Sequence, residues 1–166
     1  DLKFGYKDIV QLWKAESFDP DALMGLFAEA GAKYFVAQAM HHDNFDNWDS
    51  AHNRWNSVRV GPQKDIVGLW QEAARAKGLP FGLTEHLGAS FNWFEPNKRS
   101  DRTGPYAGVP YDGVDPAYED FYFANRDYAI DRSGEWQWYT SNSWFHKHWF
   151  DRIKDLIDKY KPDLLY

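Results

Sequence analysis

Three helix-like stretches alternate with three short apolar runs in this chain, and the links between them are short in one direction only. The helical patterns follow Asp19-Pro20, run from about Gln63 to Lys77, and run from about Phe145 to Lys159. The apolar runs are Tyr34 to Met40, Pro80 to Thr84 and Asp163 to Tyr166. Helix, strand, helix, strand, helix, strand implies parallel strands joined by helical crossovers. Each helix reaches the next strand through a few residues, at Gly31-Ala32, Gly78-Leu79 and Lys161-Pro162. Both complete strand-to-helix loops are long, from His41 to about Pro62 and from residue 87 to about 144. Long loops at the carboxyl ends of strands are how a (β/α)8 barrel builds its working face. A doubly wound sheet also has this order, but no glycine fingerprint follows either strand. The expected fold is therefore α/β, part of a (β/α)8 (TIM-like) barrel with long loops at the C-terminal ends of its strands. Three strands cannot close a barrel, so residues 1–166 read as a partial (β/α)8 domain, truncated at both ends, with no second domain.

Local signals support the element positions. Asp19 is a helix N-cap with Pro20 at the first helical position, and Leu23, Leu26, Phe27 and Ala30 form one apolar face. Gly31 sits where a C-terminal cap belongs, Gly78 ends the second helix, and Pro162 stops the third. Tyr34 to Met40 is apolar enough for a strand buried on both faces. Asp1 to Ser17 carries Ile9, Val10, Leu12 and Trp13 as a short helical or docking piece. The 87–144 segment lacks steady periodicity; a loop of that size is functional or holds short elements of its own.

Composition narrows the partners. A formal charge of −6 leaves no basic stripe for nucleic acid. The chain has no cysteine, which excludes disulfides and zinc–thiolate sites. No apolar run has the length of a membrane span, and the amino terminus has no signal-peptide pattern. Aromatic residues make up 19% of the chain, nine of them tryptophan. That is more than a core needs, and flat rings suit ligands with apolar faces such as sugars.

The chemistry-bearing residues stand where the strand patterns stop. His41, His42 and Asp43 follow the first strand; Glu85 and His86 follow the second. Adjacent strand residues point to opposite faces, so His41 and His42 share a pocket only if the backbone turns there. If the two strands are neighbours, all five residues gather at one rim. Three classes of function fit such a cluster. Histidines with a carboxylate hold zinc or iron, although no recognisable ligand spacing is present. Sugar binding with glycoside hydrolysis uses histidines and carboxylates on hydroxyls and two carboxyl groups across the scissile bond. A non-catalytic carbohydrate-binding module matches the parallel α/β pattern poorly. Serine–histidine catalysis has no G-x-S-x-G elbow to rest on. Trp48 and Trp93 are candidates for a pocket wall or sugar platform, and equally for core packing. Asp43 reads first as a turn-fixing residue, and Glu85 as a substrate contact or a carboxylate orienting a histidine. His52 reads as solvated, His146 and His148 as surface or capping residues, and the acidic run from Asp112 to Asp120 as a solvated loop that misses the EF-hand spacing.

The run His41-His42-Asp43-Asn44-Phe45, with Trp48-Asp49-Ser50, Trp55-Asn56-Ser57-Val58 and Lys64-Asp65-Ile66-Val67, resembles the hallmark region of the α-L-fucosidases of glycoside hydrolase family 29. Asn44 stands where the family text usually has glycine. Gly78-Leu79-Pro80-Phe81-Gly82-Leu83 is similar to the next family strand, but Thr84-Glu85-His86 departs from the serine and tyrosines common there. Trp93-Phe94-Glu95 and the stretch Gly104 to Tyr111 resemble a bacterial branch. The likeness spans most of residues 18 to 166. It implies hydrolysis of terminal α-linked L-fucose from glycans with retention, by an aspartate nucleophile and a separate acid/base. It implies a nucleophile just after Tyr166, with no catalytic residue inside the chain, and an acid/base and a β-sandwich further on. His41 and His42 resemble family histidines that hydrogen-bond fucose hydroxyls. The expected substrate-binding set is His41, His42, Trp48, Glu85, His86 and Trp93, with no metal. No metal or organic cofactor is expected, because two carboxyl groups and water suffice. The expected partner is a fucosylated oligosaccharide or glycoconjugate, with no nucleic acid or membrane, in a secreted or periplasmic setting. The runner-up readings are a related glycosidase for another sugar, and a metal-dependent hydrolase built on His41, His42 and His86.

Overall fold

The computed structural model of the chain describes residues 4–124 and 139–166. Residues 1–3 of the opening segment and 125–138 of the long aromatic segment lie outside the described residues. Strand β1 is Phe35–Met40, β2 is Phe81–Glu85 and β3 is Leu164–Leu165. They form one parallel sheet in the order β1-β2-β3. Phe35 pairs with Phe81 and Ala37 with Leu83, and the register shifts between Gln38 and Met40.

The three longest helices begin where a cap side chain satisfies a free backbone amide. Helix α1 is Tyr6–Leu12, so the opening segment carries a short helix. Helix α2, Pro20–Glu29, is capped by Asp19, which accepts from the Ala22 amide at 2.9 Å. Gly31 follows with φ of +91°, a turn that favours glycine. Helix α3 is Ile66–Ala76 and starts three residues later than the apolar pattern suggested. Gln63 has φ of +54°, which no right-handed helix accommodates, and Asp65 caps the true start by accepting from the Gly68 amide at 2.9 Å. Among the described residues, Ser90–Trp93 (α4), Glu119–Tyr122 (α5) and four short 3₁₀ turns lie between β2 and the last helix. The long segment thus carries short elements, one of the two outcomes its length implied. Helix α6 is Ser143–Tyr160, with Asn142 accepting from the Phe145 amide at 3.0 Å.

Two apolar clusters hold these elements. The larger joins Ala37, Ala39, Phe81 and Leu83 of the sheet to Met24, Val67, Ala73, Ala74, Leu156 and Tyr160 of α2, α3 and α6. The sheet face opposite is less covered among the described residues. Gln38 and Leu164 are exposed there, and Val36 and Thr84 are half-buried. The expectation of a first strand buried on both faces therefore holds at Ala37, Ala39 and Met40 and fails at Gln38. The second cluster lies under the loops and unites Val10, Phe45, Trp55, Phe94, Phe121 and Tyr122. Its rings pack on one another, stacked between Tyr6 and Phe121 at 5.9 Å and edge-on between Phe94 and Tyr122 at 5.0 Å. Much of the aromatic surplus is thereby a second core that stiffens the loops.

The acidic run is not simply solvated. Asp112 is buried, accepts from the Tyr122 hydroxyl and lies 3.7 Å from the buried Lys7 ammonium. Asp120 pairs with Arg54 and accepts from the Trp55 indole at 3.2 Å. The sequence pattern could not show this, because the cationic partners lie more than sixty residues from Asp120, at Arg54, and about a hundred from Asp112, at Lys7. His52 and His146 are exposed, as expected. His148 is half-buried and stacks flat on Trp144 at 5.1 Å.

Candidate active-site rim

The site begins with how β1 ends. After Met40 the chain leaves the sheet and turns, and Asn44 adopts the left-handed conformation with φ of +59°. Asparagine tolerates that region better than other side chains, which explains an asparagine where the resembling family carries glycine. The turn brings the rings of two adjacent residues, His41 and His42, to 4.3 Å between centroids. The condition for a shared pocket is thus met.

Asn44 is also the anchor of the turn. It is fully buried, and its side-chain amide donates to the carbonyls of Asp120 and Phe121 at 3.0 and 2.9 Å. Its side-chain oxygen accepts from the Arg152 guanidinium at 2.6 Å. Arg152, on α6, is wholly buried and pairs with the equally buried Asp46. Burial pushes the Asp46 carboxyl up and Arg152 pulls it back. Asp43 accepts from the Tyr6 hydroxyl at 2.6 Å, so α1 ties down the other side. Burial and Asp43 hold the Tyr6 phenol well above its ordinary pKa, so it stays a donor.

The second strand supplies the third imidazole. Glu85 accepts from the Leu87 amide through its own side chain, closing the turn that presents His86. The Glu85 carboxylate therefore braces backbone rather than orienting a histidine ring. His86 lies nearly parallel to His41, with centroids 4.9 Å apart and planes at 17°. The His42 Nδ1 makes a hydrogen bond with the His86 carbonyl oxygen. Trp93 of α4 closes the group at 5.0 Å from the His42 ring and 6.4 Å from His41. The Tyr166 ring is 6.3 Å from His86. Burial, then the neighbouring His42 and His86, lowers the His41 pKa against the opposing pull of Asp43, so the ring is neutral near pH 7. A cleft of about 280 Å³ opens beside His41, lined by Tyr6, Trp13, Gln38, Asp43 and Phe45 among others.

Of the residues expected to touch a substrate, His41, His42, His86 and Trp93 come together at one rim. Trp48 does not join them. It is fully buried in the main core, with its indole donating to Asp155 at 3.2 Å. Imidazole rings, which can give and take hydrogen bonds, beside an indole face can hold a hydroxylated ring. Asn44, Asp46 and Arg152 were not among the site residues expected from the sequence. The asparagine in a glycine position was a usable signal, whereas Arg152 looks like any charged helical residue.

A parallel α/β sheet with imidazoles and an indole at its carboxyl rim is the layout of an α/β enzyme site. The chain belongs to the α-L-fucosidase family, whose profile, described as Alpha-L-fucosidase, matches residues 1–166. It is 40% identical to the tissue alpha-L-fucosidase of Mus musculus over 164 residues, 98% of this chain and 28% of that protein. With the Homo sapiens tissue alpha-L-fucosidase it shares 31% identity over 164 residues, covering 93% of this chain and 34% of the relative. Among solved structures, the Thermotoga maritima alpha-fucosidase in complex with a mechanism based inhibitor is similar, with a TM-score of 0.68 and 27% identity over 99% of this chain and 31% of that one. The same enzyme in complex with fucose gives a TM-score of 0.65 at 26% identity, over 99% of this chain and 31% of that one. The chain thus spans about a third or less of the length of these relatives.

Proposed function

We propose that this chain forms part of the fucose-binding rim of a retaining α-L-fucosidase, within a partial (β/α)8 catalytic domain. The observation that carries the reading is the convergence of His41, His42, His86 and Trp93 beyond the carboxyl ends of two paired parallel strands. In this reading the His41 and His42 rings hydrogen-bond sugar hydroxyls, and the Trp93 indole covers an apolar sugar face. His86 sits against both and completes the wall. The uneven cover of the sheet supports the barrel, since Val36, Gln38, Thr84 and Leu164 would face its interior.

The reaction needs two carboxyl groups, a nucleophile that makes a glycosyl-enzyme ester and an acid/base that protonates the leaving oxygen and then activates water. Neither Asp43 nor Glu85 suits those tasks, because each is engaged with Tyr6 or the Leu87 amide. The nucleophile is expected just after Tyr166. The ladder favours that position: the Tyr166 amide donates to the Leu83 carbonyl at 2.9 Å, and its own carbonyl accepts from the Glu85 amide at 2.8 Å. The next residue of that strand would emerge beside His86. The substrate would be a fucosylated oligosaccharide or glycoconjugate. A relative acting on another sugar is the alternative that the Thr84-Glu85-His86 departure keeps open.

The test is His41→Ala and His42→Ala in the full-length protein, assayed on an aryl α-L-fucoside. Each loses contacts that strengthen in the transition state, so kcat/KM should fall roughly 10²–10³-fold. Both variants staying within about twofold of the parent would overturn the assignment.

A further inference from the structure

We propose that His41, His42 and His86 also form a binding site for a divalent transition cation such as zinc, and that the bound ion excludes the sugar. One ring nitrogen from each residue lies within 4.8 Å of the other two. Nitrogens sharing one zinc at about 2.1 Å lie roughly 3.4 Å apart, so rotations closing about an ångström complete the set. Those rotations are local, because all three rings are half-buried side chains on turns outside the strands. The second contact shell is already present at one ligand. The His42 Nδ1 is engaged by the His86 carbonyl, so a metal would be taken by Nε2, the arrangement that orients ligating histidines generally.

The ligand type selects the ion. Three imidazoles without a thiolate or a free carboxylate suit zinc, copper or nickel and not magnesium or calcium. Half-burial leaves a further coordination position for water or an anion. The ion would sit on the nitrogens that the proposed sugar contacts use, so the two ligands compete. A glycosidase that works through carboxyl groups gains nothing from the metal; occupancy switches it off. The binding half of this inference stands on geometry alone, whereas the competition half rests on the sugar-site reading.

The experiment titrates the metal-free full-length protein with zinc chloride by isothermal calorimetry, with and without L-fucose. Zinc should bind at one ion per chain in the parent, and at least roughly tenfold more weakly in His86→Ala. His52→Ala, an exposed histidine away from the rim, should bind as the parent does. L-Fucose should weaken the zinc isotherm, and zinc should raise KM for an aryl α-L-fucoside without lowering kcat. Should His86→Ala fail to fold, His86→Gln takes its place. Zinc binding that is absent, or unchanged in the His86 variant, overturns the site while leaving sugar binding intact. Zinc bound at the imidazoles but indifferent to L-fucose overturns the competition and counts against the sugar placement, with the metal site standing.

Discussion

At the scale of single residues, the rim is held by buried groups behind it. Asn44 carries the left-handed turn that lets two neighbouring histidines face one way, and it is bonded on both sides of its amide. Arg152 holds that amide and the Asp46 carboxylate together in a dry interior. Removing one partner of a buried ion pair leaves an uncompensated charge. Arg152→Met should therefore cost about 3–5 kcal/mol of stability. Asn44→Ala combines lost hydrogen bonds with a strained φ, for roughly 2–4 kcal/mol. Chemical denaturation of the full-length variants checks both, and a change in either below about 0.5 kcal/mol would show that the turn is held elsewhere. Asn44→Gly should recover the strain and not the bonds, so it should fall between the parent and alanine.

At the scale of elements, α6 contains a titrating device of its own. His148 stacks on Trp144, one helical turn earlier, in a face-to-face pair at 7°. Burial, followed by the nearby Arg152 and His52, pushes its pKa down to about 4 against the pull of Asp151. A pKa lower in the folded than in the unfolded state means the unfolded chain takes the proton first. The stability contribution is thus complete above about pH 6.5 and is lost as pH falls toward 4, levelling below that. After discounting for partial exposure, the loss is roughly 1–2 kcal/mol. His148→Gln should flatten the decline of Tm across that window, and identical Tm-versus-pH curves for parent and variant would refute it. The same helix shows what sequence reading reaches. Its existence and its stop before Pro162 were legible, because helical period and proline act locally. So were the three strands, the capped start at Asp19-Pro20 and the placing of three histidines at one rim. The start of α3 was misread, since a left-handed Gln63 leaves no compositional trace. The buried Asp112, the inward-facing Arg152 and the core position of Trp48 escaped for a common reason. Their fates are decided by partners about a hundred residues distant.

For the whole molecule, the uneven cover of the sheet is the governing fact. Gln38 is exposed, Leu164 is 52% accessible, and Tyr34 and Tyr166 are more open still. Apolar area on a sheet face and a free strand edge favour association. The 166-residue chain expressed alone should therefore elute from size-exclusion chromatography above its monomer mass of 19.5 kDa or as a broad species. It should also fail to turn over an aryl α-L-fucoside, because the two carboxylates at its rim are already committed to Tyr6 and Leu87. A monodisperse monomer with clear turnover would move the catalytic assignment to Asp43 and Glu85.

The Asn44–Arg152 bond joins positions 108 residues apart in the chain. A contact of that span closes a large loop, and loop closure is slow compared with forming a helix or a turn. During synthesis the His41–Asn44 segment leaves the ribosome long before its clamp exists. Until α6 is made, that turn lacks the Arg152 contact, while the residues of α2, α3 and the first two strands are already present. The histidine turn is therefore expected to form late in folding. A ligand that needs those rings in place reports on completed protein and not on the nascent chain.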